Sequence, residues 1–273
     1  MLGTVAGGVV RNRATPLFRL YSAVTKDYAD TTSPQYALSL MINQTHAYVQ
    51  PSTSPIVPGY TFPYDSANEA APATPRASVY VLTTEFTPHS GYPPVIPLYL
   101  MDKPKANGTD YLLATPIDLQ AIHGAGYNLR TIQGYIYQPC TPESTCVPPG
   151  AKKFYRACKT TDNDCATFLD TEISSFPSYT STFPPIAGST KTLLGYAYPA
   201  TDTDGDGLPD GFEYAVGTDP NSKWSNGLVS TTENDGTRFP MIGVEVSDPC
   251  LGGPLGARNC GADRIFKNGF ENL

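Results

Sequence analysis

Ile96-Pro-Leu-Tyr-Leu-Met101, Thr109-Asp-Tyr-Leu-Leu-Ala-Thr115 and Gly134-Tyr-Ile-Tyr137 follow one another along the chain, with a helical segment from Pro116 to Ala125 before the last. The phrases are short, aromatic or β-branched, alternate with period two and are bounded by Gly, Pro, Asn and Asp. That is the pattern of half-buried strands between turns. The same order recurs on both sides. Upstream it opens at Pro16-Leu-Phe-Arg-Leu-Tyr21, continues through Lys26-Asp-Tyr-Ala-Asp-Thr-Thr-Ser33 and closes, after a proline-rich insertion, at Ser78-Val-Tyr-Val-Leu82. Downstream it runs Lys153-Phe-Tyr-Arg-Ala157, Ala166-Thr-Phe-Leu-Asp-Thr171 and Gly195-Tyr-Ala-Tyr198. A unit this small cannot bury its own apolar face, so three copies are expected to share one core. The expected class is mainly β: a pseudo-threefold, β-trefoil-like domain over residues 16–199. A small propeller-like ring is the alternative, because Ile117 to Ala125 reads as a helix inside one repeat.

Phe18-Arg-Leu-Tyr21, Asp30-Thr-Thr-Ser33, Gly124-Ala-Gly-Tyr127 and Gly134-Tyr-Ile-Tyr137 resemble the phrases of a family of bacterial secreted tandem repeats of unknown function. Those phrases are Tyr-Arg-Leu-Tyr, His-Phe-Tyr-Thr-Thr-Ser and Gly-Tyr-x-Tyr. Members are often appended to secreted hydrolases or surface proteins, so the resemblance implies an accessory or adhesive role without chemistry of its own. The family's usual histidine is replaced here by Asp27, Asp110 and Ala166, which weakens any site built on it. Tyr21, Tyr99 and Tyr155 read as repeat-core residues. Others among the 18 tyrosines are candidates to stack on sugar rings or peptide side chains.

Beyond the repeats, Asp202-Thr-Asp204-Gly-Asp206-Gly207-Leu208-Pro-Asp210-Gly-Phe-Glu213 places oxygen ligands at loop positions 1, 3, 5, 9 and 12. Gly207 permits the sharp turn, Leu208 offers its carbonyl and Glu213 can bind bidentately. Four aspartates and a glutamate this close repel one another, and a divalent ion relieves that repulsion. An all-oxygen, anionic and flexible set suits Ca2+ better than magnesium, zinc or copper. Asp210 to Val216 reads as a short helical turn ending at Gly217, within a 200–225 segment. This loop with Gly217-Thr-Asp-Pro220 resembles the bacterial calcium repeats related to thrombospondin type 3. Such repeats usually place a second acidic loop downstream, where this chain has Lys223-Trp-Ser-Asn-Gly227, so one ion is implied rather than an array.

Cys140 and Cys146, Cys158 and Cys165, and Cys250 and Cys260 form three pairs at short separations across polar or glycine-rich stretches. Three local disulfides in an oxidising compartment are expected, the last closing a 226–273 tail. Zinc is disfavoured because neither Cys-x2-Cys spacing nor nearby histidines occur. Cys260 to Glu271 resembles a tail found on exported bacterial proteins, and residues 1–15 read as a disordered or truncated export segment. The 273 residues carry a net charge of −7, without the basic field that nucleic acid or an anionic membrane surface requires. No apolar run is long enough to span a bilayer.

Catalysis finds little in the sequence. His46, His89 and His123 stand apart, Gly-x-Ser-x-Gly and His-Glu-x-x-His are absent, and Asp102, Asp118, Glu143 and Glu172 show no informative spacing for a glycosidase pair. The expected function is an exported, calcium-stabilised, non-catalytic module at the cell surface or outside the cell, binding glycan or cell-wall polymer. A structural surface component is the alternative, as is an accessory fragment of a longer secreted hydrolase.

Overall fold

A computed structural model describes residues 14–43, 45–51, 54, 76–83, 92–162, 164–204, 209–211, 213 and 219–222. Of the segment expected at 1–15, residues 1–13 lie outside the described residues while Ala14 and Thr15 belong to the first strand; residues 226–273, with Cys250 and Cys260, and His89 also lie outside.

The described strands form one antiparallel sheet of ten. β1 (Ala14–Ser22) turns into β2 (Asp27–Thr31), and α1 (Pro34–Ile42) and the short β3 (Tyr48–Val49) precede β4 (Ala77–Leu82). β5 (Val95–Lys105) turns into β6 (Gly108–Ala114), followed by α2 (Leu119–Gly124) and β7 (Asn128–Tyr137). After α3 (Glu143–Cys146), β8 (Lys152–Cys158) turns into β9 (Cys165–Leu169), a 3-10 helix spans Asp170–Ser175, and β10 (Thr192–Pro199) closes the series. Each repeat is thus a hairpin, a helix and a strand that returns to the first strand of its own hairpin: β4 to β1, β7 to β5, β10 to β8. A helix stands in every repeat, where the sequence pattern pointed to one only in the second.

Local chemistry explains these elements. The Ser33 hydroxyl accepts the Tyr36 N–H at 3.2 Å and Pro34 occupies the first turn, a standard helix start for α1. Ala106-Asn107 connects β5 to β6 in a two-residue turn, and Gly108 follows with φ 145°. β4 is buried at every position, so its sequence is a continuous apolar run rather than an alternation.

The three closing strands meet one another. Tyr80 faces Tyr198, Tyr196 faces Tyr137, and Tyr135 faces Leu82, so the first tyrosine of each closing phrase pairs with the last residue of the preceding one, the third repeat standing before the first. Neither the β-trefoil-like closure nor the propeller-like ring is formed among the described residues; the sheet stays open at β2, β6 and β9. The physical reason is the composition of the repeat. Each contributes a hairpin, a helix and a closing strand, the first adding the short β3, and the outer hairpin strand ends as an edge instead of closing a barrel.

The repeats are tied internally in the same way. Asp27 accepts the Tyr48 hydroxyl at 2.7 Å, Asp110 accepts that of Tyr127, and Asp164 that of Tyr179, each joining a hairpin to the chain beyond its helix. Across the hairpins Arg19 faces Asp30, Leu100 faces Leu113 and Arg156 faces Thr167, and each tying aspartate lies three residues before the second member of its pair. This register corrects the alignment of the third repeat: Asp164, not Ala166, is the counterpart of Asp27 and Asp110.

Between repeats, two arginines are wholly buried. Arg19 reaches from the first repeat to the Thr167 carbonyl and Glu172 of the third, with Asp30 beside it at 3.6 Å. Arg156 reaches from the third to the Leu113 carbonyl at 2.6 Å and Asp118 at 2.7 Å in the second. Leu100 holds the matching place in the second repeat, where Tyr36 and Tyr111 join the hydroxyls of repeats one and two at 2.8 Å.

Candidate calcium site and aromatic face

The acidic loop begins three residues past β10. Asp202 and Asp204 are half-buried, as is Asp210, while Glu213 is fully buried; Asp206 and Leu208 lie outside the described residues. The Asp210 N–H donates to the Thr201 carbonyl at 2.8 Å, and the Asp210 carboxylate accepts the Thr203 N–H and hydroxyl, each at 2.7 Å. These bonds strap the two arms of the loop together at its base. The Glu213 N–H donates to the Pro209 carbonyl at 3.0 Å, a helical bond that opens the expected turn. Among the described residues no three His, Cys, Asp or Glu side chains are gathered to metal-holding distance. The donors remain oxygens of the kind and sequence order a Ca2+ loop uses, and the buried Glu213 stands at its bidentate position.

Residues 202–223 match the family model of the bacterial TSP3 repeat. No curated protein and no solved structure matches the chain. The segment is therefore thrombospondin type 3-like, a type of repeat that binds calcium, and the match spans the acidic loop and the turn at Asp219-Pro220. Asp219 accepts the Asn221 N–H at 3.0 Å, the local bond that shapes that turn.

Two of the three expected disulfides are formed, Cys140–Cys146 and Cys158–Cys165. The first closes the link carrying α3, and the second staples the ends of the β8–β9 hairpin. Disulfides and a TSP3 repeat fit an extracellular protein. Among the described residues no helix is long and apolar enough to cross a membrane.

Sequence reasoning missed an aromatic face where the first and third repeats meet. Tyr21 and Tyr28 lie with ring centroids 4.7 Å apart, and Tyr28 continues to Phe176 at 5.9 Å and Tyr179 at 6.0 Å. Phe176 stacks on Phe168 at 4.9 Å, and Phe168 touches Tyr155, over which Lys191 sits at 4.8 Å. Burial pushes the Tyr28 phenol up to about 12 and raises that of Tyr155, so both remain neutral donors. Tyr21, Tyr99 and Tyr155 are half-buried rather than core residues. Their assignment to equivalent core positions fails because Tyr99 and Tyr155 face Ala114 and Phe168, matching Phe18 opposite Thr31, whereas Tyr21 faces Tyr28 further along its strand. The signal that could have found this face is the clustering of Tyr28, Phe168, Phe176 and Tyr179 around the hairpins. It was hidden because the partners are far apart in sequence.

The four carboxylates weighed for glycoside hydrolysis each meet a cation instead. Asp102 pairs with Arg130, Asp118 with Arg156 and Glu143 with Lys153, all at 2.7 Å, and Glu172 with Arg19 at 3.3 Å. His123 Nδ1 lies 3.0 Å from the Tyr127 carbonyl, and the His46 carbonyl accepts the Ser22 hydroxyl.

Proposed function

We propose that this chain is an exported, non-catalytic recognition module for an extracellular glycan or cell-wall polymer, built from three pseudo-threefold repeats and stabilised by one calcium ion. The Tyr21–Tyr28–Phe176 face carries the reading. It offers the half-buried rings of Tyr21 and Tyr28, backed by the buried Phe176 at a repeat junction, and aromatic faces bind sugar rings through their apolar C–H surfaces while phenolic hydroxyls reach the rim. The four ion-paired carboxylates support the non-catalytic part, since each already neutralises a fixed cation. The ligand set assigned to calcium is Asp202, Asp204, Asp206, Asp210 and Glu213, with the Leu208 carbonyl. Calcium there relieves the mutual repulsion of the carboxylates. At ~1 mM ion and a Kd of ~0.1 mM it contributes about 1.4 kcal/mol to folding.

The test is a binding panel of glycans and cell-wall polymers with the intact chain in calcium and in chelator, beside Tyr28→Ala and Asp204→Ala. Saturable binding to one polymer class that weakens at least tenfold in Tyr28→Ala, with far-UV circular dichroism unchanged, is the expected outcome. Silence across the panel from a folded, calcium-loaded chain would instead assign it a structural role.

A further inference from the structure

The base of the acidic loop rests on the body through two bare backbones. A Cβ placed on Gly150 would lie 2.3 Å from the Gly211 carbonyl oxygen and 2.6 Å from its Cα. One placed on Gly211 would lie 2.8 Å from the Gly150 oxygen and 3.1 Å from Cδ1 of Tyr198. A side chain at either position would pry the segments apart. Pro209, Gly211 and Glu213 are all buried, so this arm of the loop is seated against the turn that precedes β8. Its other arm leaves directly from β10, the strand that pairs with β4, β7 and β8 and so touches every repeat. Asp210, strapped to Thr201 and Thr203, joins the two arms.

We infer that calcium binding and the seating of Gly211 on Gly150 are one coupled equilibrium, so that the ion fastens the end of β10 and, through it, all three repeats. An ion that prefers the seated loop draws the seat closed, and by reciprocity a closed seat tightens the ion. The repeat domain then supplies the support that a second acidic loop would give, this chain having Lys223-Trp-Ser-Asn-Gly227 where such a loop is usual. This inference rests on the calcium reading of the loop and stands apart from the glycan reading.

Amide hydrogen exchange on the intact chain, in calcium and in chelator, reads the coupling directly. Calcium is expected to slow exchange about tenfold in 192–199 and 148–151 as well as in the loop. Protection confined to 200–223 overturns the inference without any variant. Calorimetric calcium titration supplies the second arm, with Gly150→Ala against Gly188→Ala. Gly150 and Gly188 have matching φ values of 75° and 77°, so both substitutions carry similar backbone strain, but nothing lies within 4 Å of a Cβ at Gly188. Gly150→Ala is expected to weaken calcium about tenfold and Gly188→Ala to leave it unchanged. Equal affinities in a folded Gly150→Ala chain reject the coupling; should that variant not fold, exchange in the unsubstituted chain decides alone.

Discussion

Arg156 shows how one buried charge holds two repeats together. Its guanidinium satisfies the Leu113 carbonyl, the Asp118 carboxylate and the Phe183 carbonyl from a position with no exposed surface. Arg156→Met fills similar space but leaves Asp118 without its ion-pair partner, and is expected to cost about 3 kcal/mol in urea unfolding. Asp27 and Asp164 titrate in the other direction. Burial is the largest influence on each and raises both above the ordinary aspartate range, with Lys105 and Asp110 facing Asp27, and Lys159 and Asp162 facing Asp164. A raised folded pKa favours the protonated native state. The stabilisation is whole below the ordinary aspartate value near 4 and is lost as pH climbs through the folded value. In chelator, which removes calcium's own pH dependence, stability should therefore fall more steeply as pH rises above 4 in the unsubstituted chain than in Asp27→Asn. Equal slopes in the two would count against this reading. None of these ties was legible in the sequence: Arg19 and Arg156 look like the exposed polar residues of alternating strands, and burial reversed that reading because each strand is covered on both sides.

At the scale of the element, the closing strands crowd their glycines. Gly195 has φ 157°, and a Cβ there would sit 2.2 Å from the Tyr137 carbonyl oxygen where β10 crosses β7. Gly195→Ala should lower the midpoint of thermal unfolding by well over 5 °C. Gly124→Ala, in open space at the end of α2, should change it little or raise it, by about 0.5 kcal/mol in stability. The Cys158–Cys165 staple closes a short loop, and Cys158→Ser with Cys165→Ser is expected to cost about 2 kcal/mol by the same measurement. Strands, turns and both described disulfides could be read from spacing because they are encoded by neighbours in the chain. The helix of the first repeat and the 3-10 helix of the third escaped because Pro34–Ile42 abuts a proline-rich stretch and Asp170–Ser175 has no apolar period.

For the whole molecule, repetition was legible and closure was not. Period-two phrases show that units recur, but the partner each closing strand takes depends on which edges remain after the helix is accommodated, and no local pattern records that. The acidic loop was legible as a segment because its carboxylates follow one another in the chain, and residues 202–223 match the TSP3 repeat; its seat on Gly150 was invisible because a glycine pair 61 positions apart carries no signature. The reciprocal meeting of Tyr80 with Tyr198, Tyr196 with Tyr137 and Tyr135 with Leu82 also sets how such a gene can grow. Three closing strands each find two neighbours, whereas a fourth inserted among them would leave some pair out of reach. Duplication within this domain is therefore arrested at a fixed copy number. New sequence is accepted between the elements of a repeat, as in the 27 residues, 50–76, separating β3 from β4, and further copies of the unit would have to form a second domain.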